Sequence, residues 1–315
     1  MDAFQSEHDI LRYSRQVVLK AMDNVRARMR GSDRLTLSGT VESPQVAKAE
    51  LNLTKGIDAA TEELIVGTLQ KKLARIPAIK TFSVFSEECG ILRFPRGAKE
   101  ADADLVVFVD PIDGTEFIES LQGGWCLVAV YDRRANETIV AVAGDIFLDR
   151  LYWASKSSYA EAIDFATHSW FKLDGGPNPK TELAGARVNF LTTKVGRYTS
   201  VAKQKRLLDA IKRKDGRINL SWGSNMIVQV AAGYADAAVE FTKGFATYDL
   251  IPGLFIGLRA GLTILDLKGN RIGTTLDIDE IFATWRRDPK RPKRMSFIAA
   301  KHEKLAREIL ELLEL

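Results

Sequence analysis

Apolar residues at Ile10, Leu11, Val17, Val18, Met22, Val25 and Met29 recur at helical spacing with charges between them. This predicts an amphipathic helix that ends near Gly31. A loop rich in Ser, Gly and Thr follows. The segment AATEELIVGTLQKKL, residues 59–73, predicts a second helix that stops before Pro77. Short strand-like runs come next: TFSVF, DLVVFV, WCLVAVY, TIVAVAGDI and LYWAS. Several are joined by turn-sized breaks, which predicts a largely antiparallel sheet. Residues 105–109 are all apolar and mostly β-branched, the pattern of a strand covered on both faces. Residues 158–184 turn rich in Ser, Gly, Pro and Lys and read as a connection. It separates an N-terminal α+β half, 1–157, from a C-terminal α/β half, 185–315. In the second half ARVNFLTT, RINLSW, ADAAVEF, LTILDL and MSFIAA read as strands. The segments SVAKQKRLLDAIKR, SNMIVQVAAGYA, DLIPGLFIGLRAG and HEKLAREILELLEL read as helices, and the alternation predicts layered α/β structure.

The chain has 315 residues, 46% hydrophobic and 27% charged, which is globular composition rather than that of a disordered chain. No apolar run is long enough to cross a bilayer, so no membrane partner is expected. The polar start MDAFQSEHDILRYSRQ does not resemble a secretory signal. The two cysteines, Cys89 and Cys126, form no CxxC and no disulfide framework. A reduced, cytoplasmic setting is expected. The net charge is +4, with basic runs from Lys203 to Lys214 and from Arg286 to Arg294. These are either solvated surface or an anion-attracting patch. No nucleic-acid motif accompanies them, so a nucleic-acid partner is not expected.

The three histidines, at 8, 168 and 302, give no support to a histidine base or a histidine-rich zinc site. Attention passes to carboxylates. The buried-strand run ends in VVFVDPIDGTEF. Pro111 fixes φ and turns the chain after the strand. That turn brings Asp110, Asp113 and the Ile112 carbonyl to one side. Gly114 and Thr115 then offer backbone N–H groups at a helix start, which suits a phosphate oxygen. Asp58 opens the second helix, Glu87 and Glu88 end TFSVF, and Asp249 begins DLIPGLFIGLRAG. Taken singly, Asp58 and Asp249 also read as N-caps, and Glu87-Glu88 as a solvated strand end. Together they suit one crevice, where several carboxylates need cations. Oxygen ligands without histidine select Mg²⁺, Mn²⁺ or Ca²⁺.

Glu87-Glu88, Asp110-Pro-Ile-Asp113-Gly-Thr115 and Tyr248-Asp249, in this order, resemble the inositol monophosphatase family. This is a family of Mg²⁺-dependent, lithium-sensitive phosphatases within the fructose-1,6-bisphosphatase-like superfamily. The resemblance runs from about residue 50 to the C-terminus. It implies a layered αβαβα sandwich of the sugar-phosphatase type, and a homodimer as partner arrangement. It implies metal ligation by Glu87, Asp110, Asp113, Asp249 and the Ile112 carbonyl, with two or three Mg²⁺ ions, Mn²⁺ being the other candidate. Asp58 and Thr115, with Glu87 nearby, would activate water. Gly114 and Thr115 would hold phosphate, and Ser224, Asn225 and Glu240 would face the substrate. Four features depart from the family pattern. Tyr248 stands where Trp is usual. Arg259 and Leu262 replace an acid and the second of two glycines. Glu116 follows Gly-Thr. The stretch 39–52, which supplies a mobile metal-binding loop in the family, matches poorly.

The implied reaction is hydrolysis of a small phosphate monoester by in-line attack of a metal-activated water. Inositol-1-phosphate or a similar sugar phosphate is the first expectation. Adenosine 3′,5′-bisphosphate is the second expectation, because DGTEFI is similar to a motif of that branch of the family and the basic runs offer a place for a second phosphate; fructose 1,6-bisphosphate is a further alternative. A non-catalytic binding or scaffold role is the reading of another class.

Overall fold

The computed structural model describes residues 3–31, 40–42, 53–99, 102–192, 194–221, 223 and 225–315. Helix α1 (Ala3–Gly31) comes first, then a two-stranded ribbon of β1 (Thr40–Glu42) and β2 (Leu53–Lys55), then α2 (Gly56–Leu73). Strands β3 (Phe82–Ser86), β4 (Gly90–Phe94) and β5 (Leu105–Asp113) lead to the short α3 (Thr115–Glu119). A meander follows: β6 (Trp125–Asp132), β7 (Glu137–Asp145), β8 (Arg150–Ser155), β9 (Glu161–Asp164) and β10 (Ser169–Lys172). The second half contains β11 (Arg187–Leu191), α4 (Val195–Ala202), α5 (Lys205–Arg213), β12 (Arg217–Ser221), α6 (Asn225–Ala231) and β13 (Ala237–Ala246). It ends with α7 (Thr247–Arg259), β14 (Thr263–Leu265), α8 (Ile278–Arg287), β15 (Arg294–Ala300) and α9 (Glu303–Leu312).

The large sheet has the order β10-β9-β8-β7-β6-β5-β3-β4 and is antiparallel apart from the β3–β5 pair. The smaller sheet, β12-β11-β13-β15-β14, is mixed, with β11 parallel to both of its neighbours. As its apolar run predicts, β5 is buried on both faces. Leu105, Val107 and Val109 pack with α1 and α2, whereas Val106 and Phe108 pack with α6 and α7. The outer face of the small sheet buries Val188, Phe190, Val239 and Ile298 against Leu207 and Ile211 of α5 and Leu305 and Ile309 of α9. The layers therefore run helix, sheet, helix, sheet, helix, the expected αβαβα sandwich. Each fully buried Val, Leu, Ile or Phe contributes about 1.5–3 kcal/mol of transfer free energy.

Close approach of α1 to the large sheet depends on Gly144 in β7. A Cβ there would lie 2.4 Å from Met22 Sδ and 2.6 Å from Val18 Cγ1.

Three features depart from the sequence pattern. The presumed connection 158–184 contains β9 and β10, which extend the large sheet. Pairing of β9 with β8, and of β10 with β9, makes them strands, although β10 has little apolar burial to announce itself. The stretch read as one helix from 200 to 213 breaks at Lys203 and Gln204 into α4 and α5. Helix α8 does not appear in the sequence reading. Yet Ile278, Ile281, Phe282 and Trp285 have helical spacing, and the Asp277 side chain caps the first turn by accepting from Glu280 N at 2.9 Å. Of the poorly matching stretch 39–52, only Thr40–Glu42 falls within the described residues.

Candidate metal centre

Four structural elements bring carboxylates to one cleft of about 360 Å³. The first is β5. Its pairing with β6 shifts between Asp110↔Leu127 and Asp113↔Trp125, so three steps on β5 match two on β6. Residues three apart on a regular strand face opposite sides. The extra residue of this bulge restores Asp110 and Asp113 to the same side. Pro111 is tolerated there because a bulge relaxes the ladder's demand for an N–H. The strand thus continues through Asp-Pro-Ile-Asp, where the sequence pattern predicts a turn. Gly114, at φ 89°, then ends the strand and α3 begins at Thr115.

The second element is the β3–β4 hairpin, whose turn carries Glu87 and Glu88. Glu62, one turn beyond Asp58 on α2, fixes this turn. Its Oε1 accepts from the Ser86 hydroxyl and from Cys89 N on either side of the two glutamates. The third element is the first turn of α2, which places Asp58 at 5% exposure. The fourth is the first turn of α7, which supplies Asp249. Neither Asp58 nor Asp249 is an N-cap; each is the third residue of its helix. Tyr248 packs edge-on against Phe85 and Trp285, with centroids 5.3 and 6.1 Å away, so the aromatic position before Asp249 still anchors α7.

Glu87, Asp110 and Asp249 each offer an oxygen, and the three atoms lie within 4.8 Å of one another. Burial raises the pKa of Asp110 well above the ordinary carboxylate value, and the charges of Asp249, Asp113, Glu87 and Asp58 push it further. Asp249 is raised well above it too, first by burial and then by Glu87 and Asp113, against a lowering by Arg294. Glu87 is raised by burial and opposed by Arg294 and Lys243. Its side chain opens onto the cleft, where water screens it, so its displacement is the smaller one. Asp249 Oδ1 is buried without a hydrogen-bond partner among the described residues. Crowded oxygens, an orphaned carboxylate atom and, among the described residues, a lining without histidine or cysteine fit a hard divalent cation.

Beside this cluster the Thr115 hydroxyl reaches Asp58 Oδ1 at 2.9 Å and the Ile112 carbonyl at 3.0 Å. Ile112, Asp113, Gly114 and Thr115 all line the cleft, as does Glu116. Two of the other expected substrate contacts, Glu240 and Asn225, do not line the cleft. Glu240 is 1% exposed and outside the lining; its Oε1 accepts from the N–H groups of Thr242, Lys243 and Gly244 and from the Thr242 hydroxyl. The bulge in β13 folds back over its own strand and captures this carboxylate. Asn225, the first residue of α6, is equally buried and also outside the lining. Ser224 lies outside the described residues. Arg259 is not a cleft residue either: it donates to the Ser158 carbonyl and ties α7 to the β8–β9 loop.

Sequence reasoning did not identify Gly223, Lys194, Arg197 or Lys243, which line the cleft, or the supporting Glu62. Of the basic run 286–294, only Arg294 lines it. The Glu62 signal was legible, since a helical acid four residues after Asp58 shares its face.

The profile of the inositol monophosphatase family matches residues 7–314. No curated protein matches the chain. Among solved structures, a Pyrococcus horikoshii protein, PH1897, described as having similarities to inositol-1 monophosphatase, superimposes with a TM-score of 0.65 at 20% identity. That match covers 96% of this chain and 100% of the other. The extragenic suppressor protein suhB from Bartonella henselae gives a TM-score of 0.68 at 17% identity, covering 97% and 98%. SaIMPase-II from Staphylococcus aureus, with inositol monophosphate bound, gives 0.61 at 17%, covering 95% and 91%. At these identities the likeness is one of fold.

Proposed function

Because the chain belongs to the inositol monophosphatase family, we propose that it is a divalent-metal-dependent phosphatase that hydrolyses a small phosphate monoester. The observation that carries the reading is the convergence of Glu87, Asp110 and Asp249 oxygens within 4.8 Å, next to the Thr115–Asp58 pair. Glu87, Asp110 and Asp249 would hold Mg²⁺ or Mn²⁺, with Asp113 and the Ile112 carbonyl available to a further ion. When bound, the metal supplies Lewis-acid polarisation of phosphoryl oxygens and a lowered pKa for water.

The remaining work falls to the chain's own groups. Thr115 has one hydroxyl proton. With that proton donated to Asp58, the oxygen's lone pair is free to accept from the attacking water. As water loses its proton to Thr115 Oγ1, the threonine proton passes to Asp58. The backbone of Gly114 and Thr115 would position the phosphate. A loose phosphoryl-transfer transition state calls for positioning and charge stabilisation rather than a protein nucleophile. No cysteine or histidine is among the described residues lining the cleft, which is consistent with that. Support for a phosphorylated polyol comes by analogy from SaIMPase-II, whose structure holds inositol monophosphate.

Phosphate release is the test, measured with Mg²⁺ from inositol-1-phosphate, adenosine 3′,5′-bisphosphate and fructose 1,6-bisphosphate. Each is assayed with and without EDTA, and with LiCl. Release from at least one ester that EDTA abolishes is expected, with inhibition by lithium. Release that survives EDTA, or no release from any ester, would overturn the proposal.

A further inference from the structure

We propose that Lys194, Arg197, Lys243 and Arg294 form a second anion subsite in the cleft, and that the substrate carries a second phosphate besides the one hydrolysed. This rests on the phosphatase reading above and specifies its substrate class.

All four residues line the same cleft as the carboxylates. They come from the N-cap and first turn of α4, from β13 and from β15 in the second half of the chain, whereas the carboxylates other than Asp249 come from the first half. Among the described residues, no ion pair closes onto Lys243 or Arg294. Lys243 sits below the ordinary amine value, through partial burial and then through the positive charges of Arg294, Arg197 and Lys194, against a raising by Asp249. Like charges gathered at this cost call for an anion to discharge them. Glu87 and Asp249 lie within reach of these cations, and with divalent cations bound they would no longer discharge them. On the phosphatase reading, the reacting phosphate would sit at Gly114 and Thr115, which line the cleft.

The local backbone is built to present these cations. Between Glu240 and Phe245 the β13–β15 register shifts, so five steps on β13 match two on β15. The excess chain is the Thr242-Lys243-Gly244 turn. Glu240 Oε1 holds it by accepting from the three N–H groups at 3.0, 2.7 and 2.8 Å. Gly244 supplies the positive φ of 73° that the turn requires. Arg294 Nη1 donates to the Gly244 carbonyl at 3.0 Å, which locks the second cation to the first. One oxygen of Glu240 is thus committed to the turn, its Oε2 is buried without a hydrogen-bond partner among the described residues, and Lys243 lines the cleft. Such a wall recognises a charged group rather than hydroxyls.

The experiment uses matched esters: fructose 1,6-bisphosphate against fructose 1-phosphate, and adenosine 3′,5′-bisphosphate against adenosine 3′-phosphate. Dissociation constants are measured by calorimetry with Mg²⁺ on Asp58→Asn protein, and kcat/KM on protein with Asp58 intact. The bisphosphate of at least one pair should bind about tenfold or more tightly than its monophosphate partner. Lys243→Met should collapse that ratio, Lys243→Arg should largely restore it, and added NaCl should shrink it. Circular dichroism confirms that each variant is folded. Equal affinities within both pairs, or a ratio that Lys243→Met leaves unmoved, would overturn the subsite. Tight bisphosphate binding without release from any ester would keep the subsite and remove the hydrolase. Equal kcat/KM on both members of each pair would do the reverse.

Discussion

Gly223 lies so close to Asp113 that a Cβ at position 223 would stand 2.2 Å from Oδ2 and 2.7 Å from Cγ. Its φ of 71° is itself a conformation that side chains disfavour. The Asp113 carboxylate keeps its place only because residue 223 has no side chain. A residue 110 positions away in sequence therefore shapes the candidate metal centre by what it lacks.

Gly223→Ala should displace Asp113 and strain the backbone. Metal-dependent activity should fall by about two orders of magnitude, with the Mg²⁺ dependence moved to higher concentration. Thermal stability should drop by about 1–3 kcal/mol. Initial rates across a Mg²⁺ titration and a melting curve measure both. Wild-type rates at the wild-type Mg²⁺ midpoint would show that Asp113 needs no such space.

Thr115→Val keeps the side chain's shape and removes the proton that reaches Asp58 at 2.9 Å. If the pair orients and deprotonates water, kcat should fall about 10²–10⁴-fold while KM changes much less. Asp58→Asn should behave alike, and the double variant should cost little more than either one. Additive losses would mean that the two residues act separately.

The metal-free protein should lose stability as pH rises. Asp110 and Asp249 have folded pKa values well above the ordinary carboxylate value near ~4. Between that value and the raised one, the folded state binds more protons than the unfolded state. The slope of unfolding free energy against pH is therefore negative over this window. In EDTA the melting temperature should decline from pH 5 to pH 8, and Asp110→Asn should flatten the decline. Added Mg²⁺ should stabilise most at the alkaline end, where it does not compete with protons. An unchanged slope in the Asp110→Asn protein would contradict this account of the cluster.

Gly144→Ala tests the α1 packing. The new methyl would meet Met22 Sδ at 2.4 Å and Val18 Cγ1 at 2.6 Å. A loss of about 1–3 kcal/mol is expected from urea unfolding. Adding Met22→Ala should recover part of it, so that the two changes are coupled rather than additive. Strict additivity would place the strain elsewhere.

The sequence by itself determined most of the elements and the acids. The LVVFV run at 105–109 can only be satisfied by burial on both faces, and β5 is buried on both. DPIDGT announces its chemistry because a plain turn has no use for two acids there, and Asp58, Glu87 and Asp249 stand at the ends of patterned segments. All of that is local, set by periodicities of two and 3.6 and by residue type. The tertiary structure decided the rest. Lys194, Lys243 and Arg294 share no local pattern, and only the stacking of the smaller sheet over the larger one gathers them at the cleft. The family resemblance implies a substrate-facing Glu240, yet a register shift between β13 and β15 folds the chain over its Oε1. Sheet edges behave likewise: β9 is a strand because β8 offers unpaired backbone, and β10 because β9 does in turn. Pairing register and the approach of distant surfaces depend on the whole packed chain, so no window of sequence contains them.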